Sequence, residues 1–288
     1  MFSGEVIAGI GVNTLILASM YLMAALGFAF IFNMLGAINL AHGNLYMIGA
    51  YVSYAFCAYV GLPNWLAILV AAILTAGFGI LLERFAIRPF QDDFSRIVMV
   101  GVALMFIFST TATLISGTKS LSIPLFAEGT LRMGIVAISY QKIIMFVASA
   151  IILVVVLLIA NKTKLGRQMK AVSQDRLGAA LQGIPIYRVS AIVCAIGCAI
   201  ATIAGGMMGS YQGLTVGMGD SITLRILMLV MLAGAGSMNG IILTGIIMAF
   251  LDSLLPVIFN GTLATTVTIL VVIVLLLIRP KGFFGHDA

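Results

Sequence analysis

The sequence GAINLAHGNLYMIG, residues 36–49, lies inside a stretch that has no Asp, Glu, Lys or Arg from Val6 to Leu82. A membrane-spanning helix needs about 20 predominantly apolar residues, so this stretch has room for roughly three crossings. Residues 36–49 interrupt it with polar side chains and glycines, namely Asn39, His42, Asn44, Tyr46, Gly36, Gly43 and Gly49. Residues 36–49 are thus polar where a lipid-facing helix would have to be apolar.

Such an interruption is costly against lipid, because each unsatisfied backbone group in hydrocarbon costs several kcal/mol. It is tolerated where the segment faces protein or a water-filled path. The stretch therefore predicts a broken helix in a transport protein, with Asn39, His42, Gly43, Asn44 and Tyr46 bordering the solute path or bracing its wall. We expect His42 to hydrogen-bond as a structural brace or to line the path, and Asn39 to cap the half-helix that follows it.

The composition extends this interpretation to the whole chain. Apolar residues make up 62% of the sequence and charged residues 8%, against about 25% charged in a soluble domain. We expect a single transmembrane permease domain over residues 1–288, all-α and polytopic, with about eight to ten transmembrane helices and broken or re-entrant glycine-rich segments. The predicted helices lie near 8–32, 40–60, 64–86, 96–117, 141–160, 187–211, 221–236, 240–256 and 262–279, and 118–140 is predicted to be a loop.

The net charge of +6 does not point to nucleic acid, because the basic residues are concentrated between spans. Six of the 15 lie in residues 161–188, and others lie in residues 84–96 and 279–281. By the positive-inside rule these segments are cytoplasmic, so we expect a cytoplasmic C-terminus. The expected partner of the chain's surface is the lipid bilayer.

No pattern for catalysis or for nucleotide or metal binding is found in the sequence. It has no GxxxxGK[ST] motif, and Cys194 and Cys198 without a nearby His or carboxylate make a poor metal site. We expect no enzyme activity, no metal and no cofactor in this chain, so any use of ATP must come from a partner. Residues 1–5 carry an acid and no base, which is not typical of a signal peptide.

A second glycine-rich break, AGAGSMNG at residues 233–240, resembles the first because apolar helices flank both. Transporters are often built from two repeats whose broken helices meet near the midplane. We expect the two breaks to lie on the same side of the bundle, with Gly234, Gly236, Ser237 and Gly240 near the path. We expect Arg225 to snorkel at the outer interface. Asp252 either has a functional role or is simply exposed to water at a helix end.

The basic loop, NKTKLGRQMKAVSQDRLGAALQGIPIYR at residues 161–188, is the other informative region. One short helix is predicted over residues 168–182, stopped by Gly183 and kept from continuing by Pro185. Met169, Val172, Leu177, Ala180 and Leu181 would supply its apolar surface. An amphipathic helix here suits docking to a soluble partner, and the alternative is a solvated loop that only orients the protein.

Three motifs together resemble the permease subunits of branched-chain amino acid ABC importers, the Liv-type H and M permeases. They are GAINLAHG, the loop pattern LGRxxKAxxxDxxxAxxxGI and the later GAGSxxG, and the resemblance covers essentially the whole chain. It implies a multi-pass permease of the prokaryotic inner membrane that pairs with a second permease, usually a related but distinct one. It also implies two cytoplasmic ATPase subunits that bind the ATP and a periplasmic binding protein that delivers the solute.

The resemblance also assigns a role to the basic loop. It implies a coupling helix that sits on an ATPase subunit, formed by the residues that match the family pattern: Gly166, Arg167, Ala171, Asp175, Ala179, Gly183 and Ile184. The solute is expected to be a branched-chain or other amino acid, with urea, an amide or a small carboxylate as alternatives. The competing functions are a secondary transporter, which needs an ion site near the midplane, and a passive channel.

Overall fold

The computed structural model describes residues 4–36, 38–91, 93–117, 119–133, 136–234, 237–280 and 282–284. The helices are α1 (Gly4–Leu35), α2 (His42–Val60), α3 (Asn64–Leu82), α4 (Phe94–Ser116), α5 (Tyr140–Lys162), α6 (Lys164–Gln174), α7 (Arg176–Leu181), α8 (Ile186–Gln212), α9 (Met218–Ala233), α10 (Met238–Ile258) and α11 (Gly261–Ile278). All nine predicted helices are present, and the all-α polytopic fold is confirmed. Within the described ranges, seven helices are long and apolar enough to cross a membrane, and α2 and α9 are not among them.

Two segments differ from the sequence-based expectation. The predicted loop 118–140 contains an antiparallel hairpin of β1 (Thr130–Met133) and β2 (Val136–Ser139). The predicted helix 168–182 is two helices, α6 and α7, because Asp175 adopts an extended backbone with φ −149°. Its carboxylate accepts a hydrogen bond from Gly178 N–H at 2.9 Å and caps α7, a role that Asp fills better than it fills a helix interior.

Side chains that precede the helices define several of their starts. Asp93 accepts from the backbone N–H groups of Ser95 and Arg96 at the start of α4, and Asn260 accepts from Leu263 N–H at 3.0 Å at the start of α11. Each cap satisfies backbone donors that have no partner within the helix, which is typically worth about 1 kcal/mol.

The centre of the bundle is formed by α1 and α8, whereas α4, α5 and α11 lie at its rim. Glycines on α8 let three neighbours approach its backbone closely: Gly197 contacts Ile31 of α1, Gly205 contacts the carbonyl of Tyr46 in α2, and Gly206 contacts Ile68 of α3. Small residues at helix interfaces serve this purpose in membranes, where apolar side chains gain little by leaving lipid. The backbone of α8 therefore fixes the positions of the helices around it.

A partly buried ion pair follows α3 and lies beside α8 at one end of the bundle. Beyond α3 the chain makes a π-helical turn, Glu83–Ile87. Arg88 Nε and Nη2 donate to the two carboxylate oxygens of fully buried Glu83 at 3.2 and 2.6 Å. The Arg88 guanidinium also lies 4.7 Å from the ring centroid of Tyr187, in the first turn of α8. We call this end, which also carries the loop between α5 and α8, the basic end.

Replacing Arg88 by Ala should destabilise the protein, because it leaves the Glu83 charge buried without a partner. Breaking a buried pair costs about 3–5 kcal/mol, and the cost here should lie at the lower end because Arg88 is 31% exposed. Thermal unfolding in detergent measures the effect. Arg96→Ala is the matched control, because the Arg96–Asp93 pair is exposed and such pairs are worth about 0–1 kcal/mol. Equal losses in the two variants would contradict a stabilising role for the buried pair.

Candidate functional site

The first glycine-rich break is present, and α2 begins deep inside the bundle. Gly36, with φ +66°, ends α1 and donates its N–H to Phe32 O at 2.8 Å. The Asn39 side chain accepts from Ala41 N–H at 3.1 Å in the turn before α2. His42, the first residue of α2, lies against Gly27. Gly27 is eight residues before the end of α1 at Leu35, about 12 Å of helix, so the chain re-enters the bundle before α2 starts.

His42 supports this break by packing. Its side chain is 1% exposed, and its ring meets the Phe28 ring edge-on at 5.7 Å between centroids. The sequence predicts hydrogen bonds for a bracing histidine. No short, well-aligned hydrogen bond to a ring nitrogen is found among the described residues, but the Ala24 backbone lies close enough to interact with the ring. The ring thus fills the space between α1 and the start of α2, and it does not face lipid.

The start of α2 meets the start of α9 in the interior. A Cβ on Gly43 would overlap the Thr223 hydroxyl and the Gly219 carbonyl, so glycine is what allows the contact. Asn44 is fully buried, and its Nδ2 donates to Asp220 Oδ1 at 3.2 Å. The two helices therefore have adjacent N-termini at mid-depth, an arrangement typical of broken helices in transporters.

The connection from α8 to α9 folds back into the bundle to make this meeting possible. Leu214 exchanges two backbone hydrogen bonds with Leu121, at 2.6 and 3.1 Å, before α9 begins at Met218. Residues 213–217 therefore form a further break, in addition to the two that the sequence predicts, and it lies beside the start of α2. The signal in the sequence was the group Gly213, Gly217 and Gly219 at the end of a long uncharged run.

The break at residues 234–240 lies at the basic end, where α1 also ends just before the first break. Gly234 is close to Gly282, beyond α11, and Ser237 Oγ accepts from Gly240 N–H at 3.0 Å to cap α10. Ser237 lines a polar cavity of about 360 Å³ with Asn33 and Lys170. Gly236, which was also predicted for the site, lies outside the described residues.

Polar side chains of α9, α10, α11 and α1 form a charged cluster that the sequence analysis did not assemble. Arg225 Nε donates to Asp252 Oδ2 at 2.9 Å. Tyr21 Oη donates to the same oxygen at 2.7 Å, and Thr268 Oγ1 donates to Oδ1 at 3.1 Å. The expectation that Arg225 snorkels to the interface is wrong. Asp252, 9% exposed, is not simply wet.

The charged cluster borders a cavity of about 310 Å³ that Tyr46 also lines. Polar residues of this region are exposed on the surface of the chain: Gln212, Thr215, Asp220, Ser221 and Thr265. We call these five residues the polar face. The signal for both features was available, because Asp220, Arg225 and Asp252 are the only charged residues between Val189 and Ile278. Lone opposite charges in membrane segments are expected to pair.

The basic loop presents a second surface. A cleft of about 500 Å³ is lined by Arg167, Ala171, Gly183 and Ile184, which were predicted for coupling, with Lys164, Gln168 and Gln182. Gly166 packs on the carbonyl of Ala160, Ala179 is buried and Asp175 caps α7, so these three shape the loop. Gly183 stops α7 as predicted, with φ +76°. Beside the cleft, Leu177 and Leu181 are 72% and 80% exposed.

Comparisons with known proteins agree with this architecture. A family model described as "Branched-chain amino acid transport system / permease component" matches residues 10–278. The chain is 30% identical to the high-affinity branched-chain amino acid transport permease BraD of Pseudomonas aeruginosa, covering 96% of this chain and 94% of BraD. It is 26% identical to LivH of Escherichia coli, covering 95% and 94%. PsaBC from Streptococcus pneumoniae, solved with a Fab, shares the fold, with a TM-score of 0.54, 15% identity and 97% of each chain covered.

The contact between α2 and α9 should tolerate no side chain at position 43. Gly43→Ala places a methyl group against Thr223 and the backbone of Gly219, and overpacking of this kind costs about 1–3 kcal/mol. We expect a lower thermal unfolding temperature for the purified protein in detergent. Gly77→Ala is the matched control, because nothing lies within 4 Å of a Cβ at that helical position. Unfolding of both variants at the wild-type temperature would contradict a structural role for this contact.

Proposed function

This chain belongs to the family of branched-chain amino acid transport permease components, and we propose that it is a membrane subunit of an ATP-driven importer. It would pass a small polar solute, a branched-chain or other amino acid, from a periplasmic binding protein to the cytoplasm. The family is one of multi-pass inner-membrane transport permeases and not an enzyme family. The proposal adds the direction of transport, the energy source and the partners.

The observation that carries the proposal is the surface of the basic loop. Leu177 and Leu181 lie one turn apart on α7 and are largely exposed, although apolar side chains gain by leaving water. The cleft beside them is lined by Lys164, Arg167 and the end of α7. An exposed apolar pair beside a basic cleft suits a soluble partner that buries the leucines and offers acidic groups. We infer that this partner is an ATPase subunit, which binds the ATP, so that this chain needs no cofactor.

The orientation follows from the distribution of charge. Arg84, Arg88, the loop between α5 and α8 and Arg279 all lie at the basic end. The positive-inside rule supports a cytoplasmic location for that end and for the C-terminus. The α10–α11 turn and the β1–β2 hairpin then face the periplasm, where the binding protein would dock.

The exposure of the polar face supports the proposal that a second permease subunit binds there. Asp220 and Ser221 are exposed although α9 begins at mid-depth, and Thr265 is exposed on α11. In a lone chain these side chains would meet lipid, where polar groups are costly. A second permease, either a related chain or another copy, would cover the polar face and enclose a water-filled path along it.

A secondary transporter is the second candidate, because the Arg225–Asp252 pair is an ionisable group within membrane-spanning helices and such groups can couple ions to transport. We expect the purified chain, reconstituted in vesicles without partners, not to accumulate amino acid under a proton or sodium gradient. Vesicles with the assembled complex and internal ATP are the positive control. Gradient-driven accumulation by the chain alone would replace the importer proposal by this second candidate.

Leu181→Asp should weaken the attachment of the ATPase subunits. Placing a charge in an apolar interface centre typically costs about 2 kcal/mol or more, which is roughly a 30-fold loss of affinity. Co-purification of the ATPase subunits with the permease measures the loss, and ATP-driven uptake should fall with it. The matched control is Leu125→Asp, which changes an exposed leucine in the segment between α4 and β1. Full ATPase retention by Leu181→Asp and by Leu177→Asp would contradict docking at α7.

A further inference from the structure

The charged cluster retains unused hydrogen-bonding capacity that faces the 310 Å³ cavity. An arginine has five N–H donors and a carboxylate about four acceptor positions. Among the described residues, Arg225 uses only its Nε, while Asp252 accepts three hydrogen bonds, from Arg225, Tyr21 and Thr268. The terminal nitrogens of Arg225 and one acceptor position of Asp252 therefore remain available. Arg225 is 33% exposed, and both residues line the cavity.

A structural role alone accounts poorly for this arrangement. Removing two charges from water costs several kcal/mol for each ion, and apolar residues of similar size often serve stability equally well. Cavities of about 310 and 220 Å³ both border the Arg225–Asp252 pair. The pair thus borders open space on two sides, although Asp252 itself is only 9% exposed.

The cavity lies within reach of one end of the bundle. Asp252 is six residues before the end of α10 at Ile258, and Thr268 is seven residues after the start of α11 at Gly261. Both spacings correspond to about 10 Å of helix. The charged cluster therefore lies about 10 Å below the α10–α11 turn, on the side that the proposed orientation assigns to the periplasm.

The walls combine this charged pair with apolar surface. Leu17, Met208, Met218 and Ile222 line one part of the cavity. The rest is lined by polar side chains, namely Tyr21, Tyr46, Gln212, Thr215, Ser221 and Thr265. A volume near 300 Å³ is at the lower end for small-molecule sites. Methionines adapt to irregular shapes, so the walls suit short apolar side chains of more than one form.

From these features we propose that the cavity between α1, α9, α10 and α11 binds a zwitterionic α-amino acid. The terminal nitrogens of Arg225 bind its carboxylate, Asp252 accepts from its ammonium group, and the apolar wall contacts its side chain. A neutral amide such as urea would match neither charge, and a ligand with only a carboxylate would leave Asp252 facing an anion. This site assignment rests on the proposed function, since it specifies where the amino acid pauses on its way through the permease.

Binding to the assembled complex, without the binding protein, tests the assignment. The probes are L-leucine, L-leucinamide, which lacks the carboxylate, and 4-methylpentanoate, which lacks the ammonium group. We expect wild-type complex to bind L-leucine at least tenfold more tightly than either analogue. In Arg225→Gln the preference over L-leucinamide should fall to about onefold, and in Asp252→Asn the preference over 4-methylpentanoate should fall likewise. Arg96→Gln, at the basic end, should keep both preferences.

The ratio between ligands separates recognition from stability. Should Arg225 and Asp252 only hold the helices together, their replacement would lower the binding of all three probes equally and leave the ratios unchanged, which would overturn the assignment. Absence of L-leucine binding by folded wild-type complex would also overturn it. ATP-driven amino acid uptake by the wild-type complex, measured in parallel with the binding protein present, decides the proposed function separately. Normal uptake with unchanged ratios would reject the site and retain the importer.

Discussion

The structure depends on one constraint, which is that hydrocarbon offers no hydrogen bonds to a chain that leaves its helix. The described interruptions therefore find internal partners for much of their polar structure, although Asn44 Oδ1 has none among the described residues. The turn before α2 uses the Asn39 side chain, the segment before α9 pairs with Leu121, and Asn44 bonds to Asp220 where the two helices begin. Glycines at positions 43 and 219 bring these starts close enough to satisfy one another. The polar centre of the bundle follows from the need to bury polar groups against each other.

Features that depend on residues close together in the sequence could be predicted, whereas features that depend on tertiary contacts could not. The nine long helices follow from local apolarity and from glycine, proline and polar caps, so their ends lie within a few residues of expectation. The first break was found because Asn39 and His42 are conspicuous among apolar neighbours. The connection before α9 was correctly predicted to lie between helices, but its return into the bundle was missed. That return depends on the pairing of Leu214 with Leu121, a tertiary contact for which the sequence carries no local signal.

The ion pairs were not predicted from the sequence either. Arg225 and Asp252 are separated by 27 positions, and neither residue carries a local signal that names its partner. Glu83 and Arg88 are close in sequence, but a π-helical turn sets their geometry. Asp175 was expected to lie within a helix, and its preference for the cap position divided the helix instead. For the candidate site, sequence supplied Tyr46 and the residues of the loop cleft, while folding supplied the cavity.

The adjacent starts of α2 and α9 also shape the electric field inside the bundle. Each helix N-terminus carries a partial positive charge of about half a unit, and two of them lie close together inside the bundle. Asp220, in the first turn of α9, places a negative charge beside both. The field at mid-depth is thereby nearly balanced, so an anion gains no deep energy well there and a cation meets no high barrier. The adjacent helix starts would therefore add little to the binding of a zwitterion, which the proposed site assigns to Arg225 and Asp252.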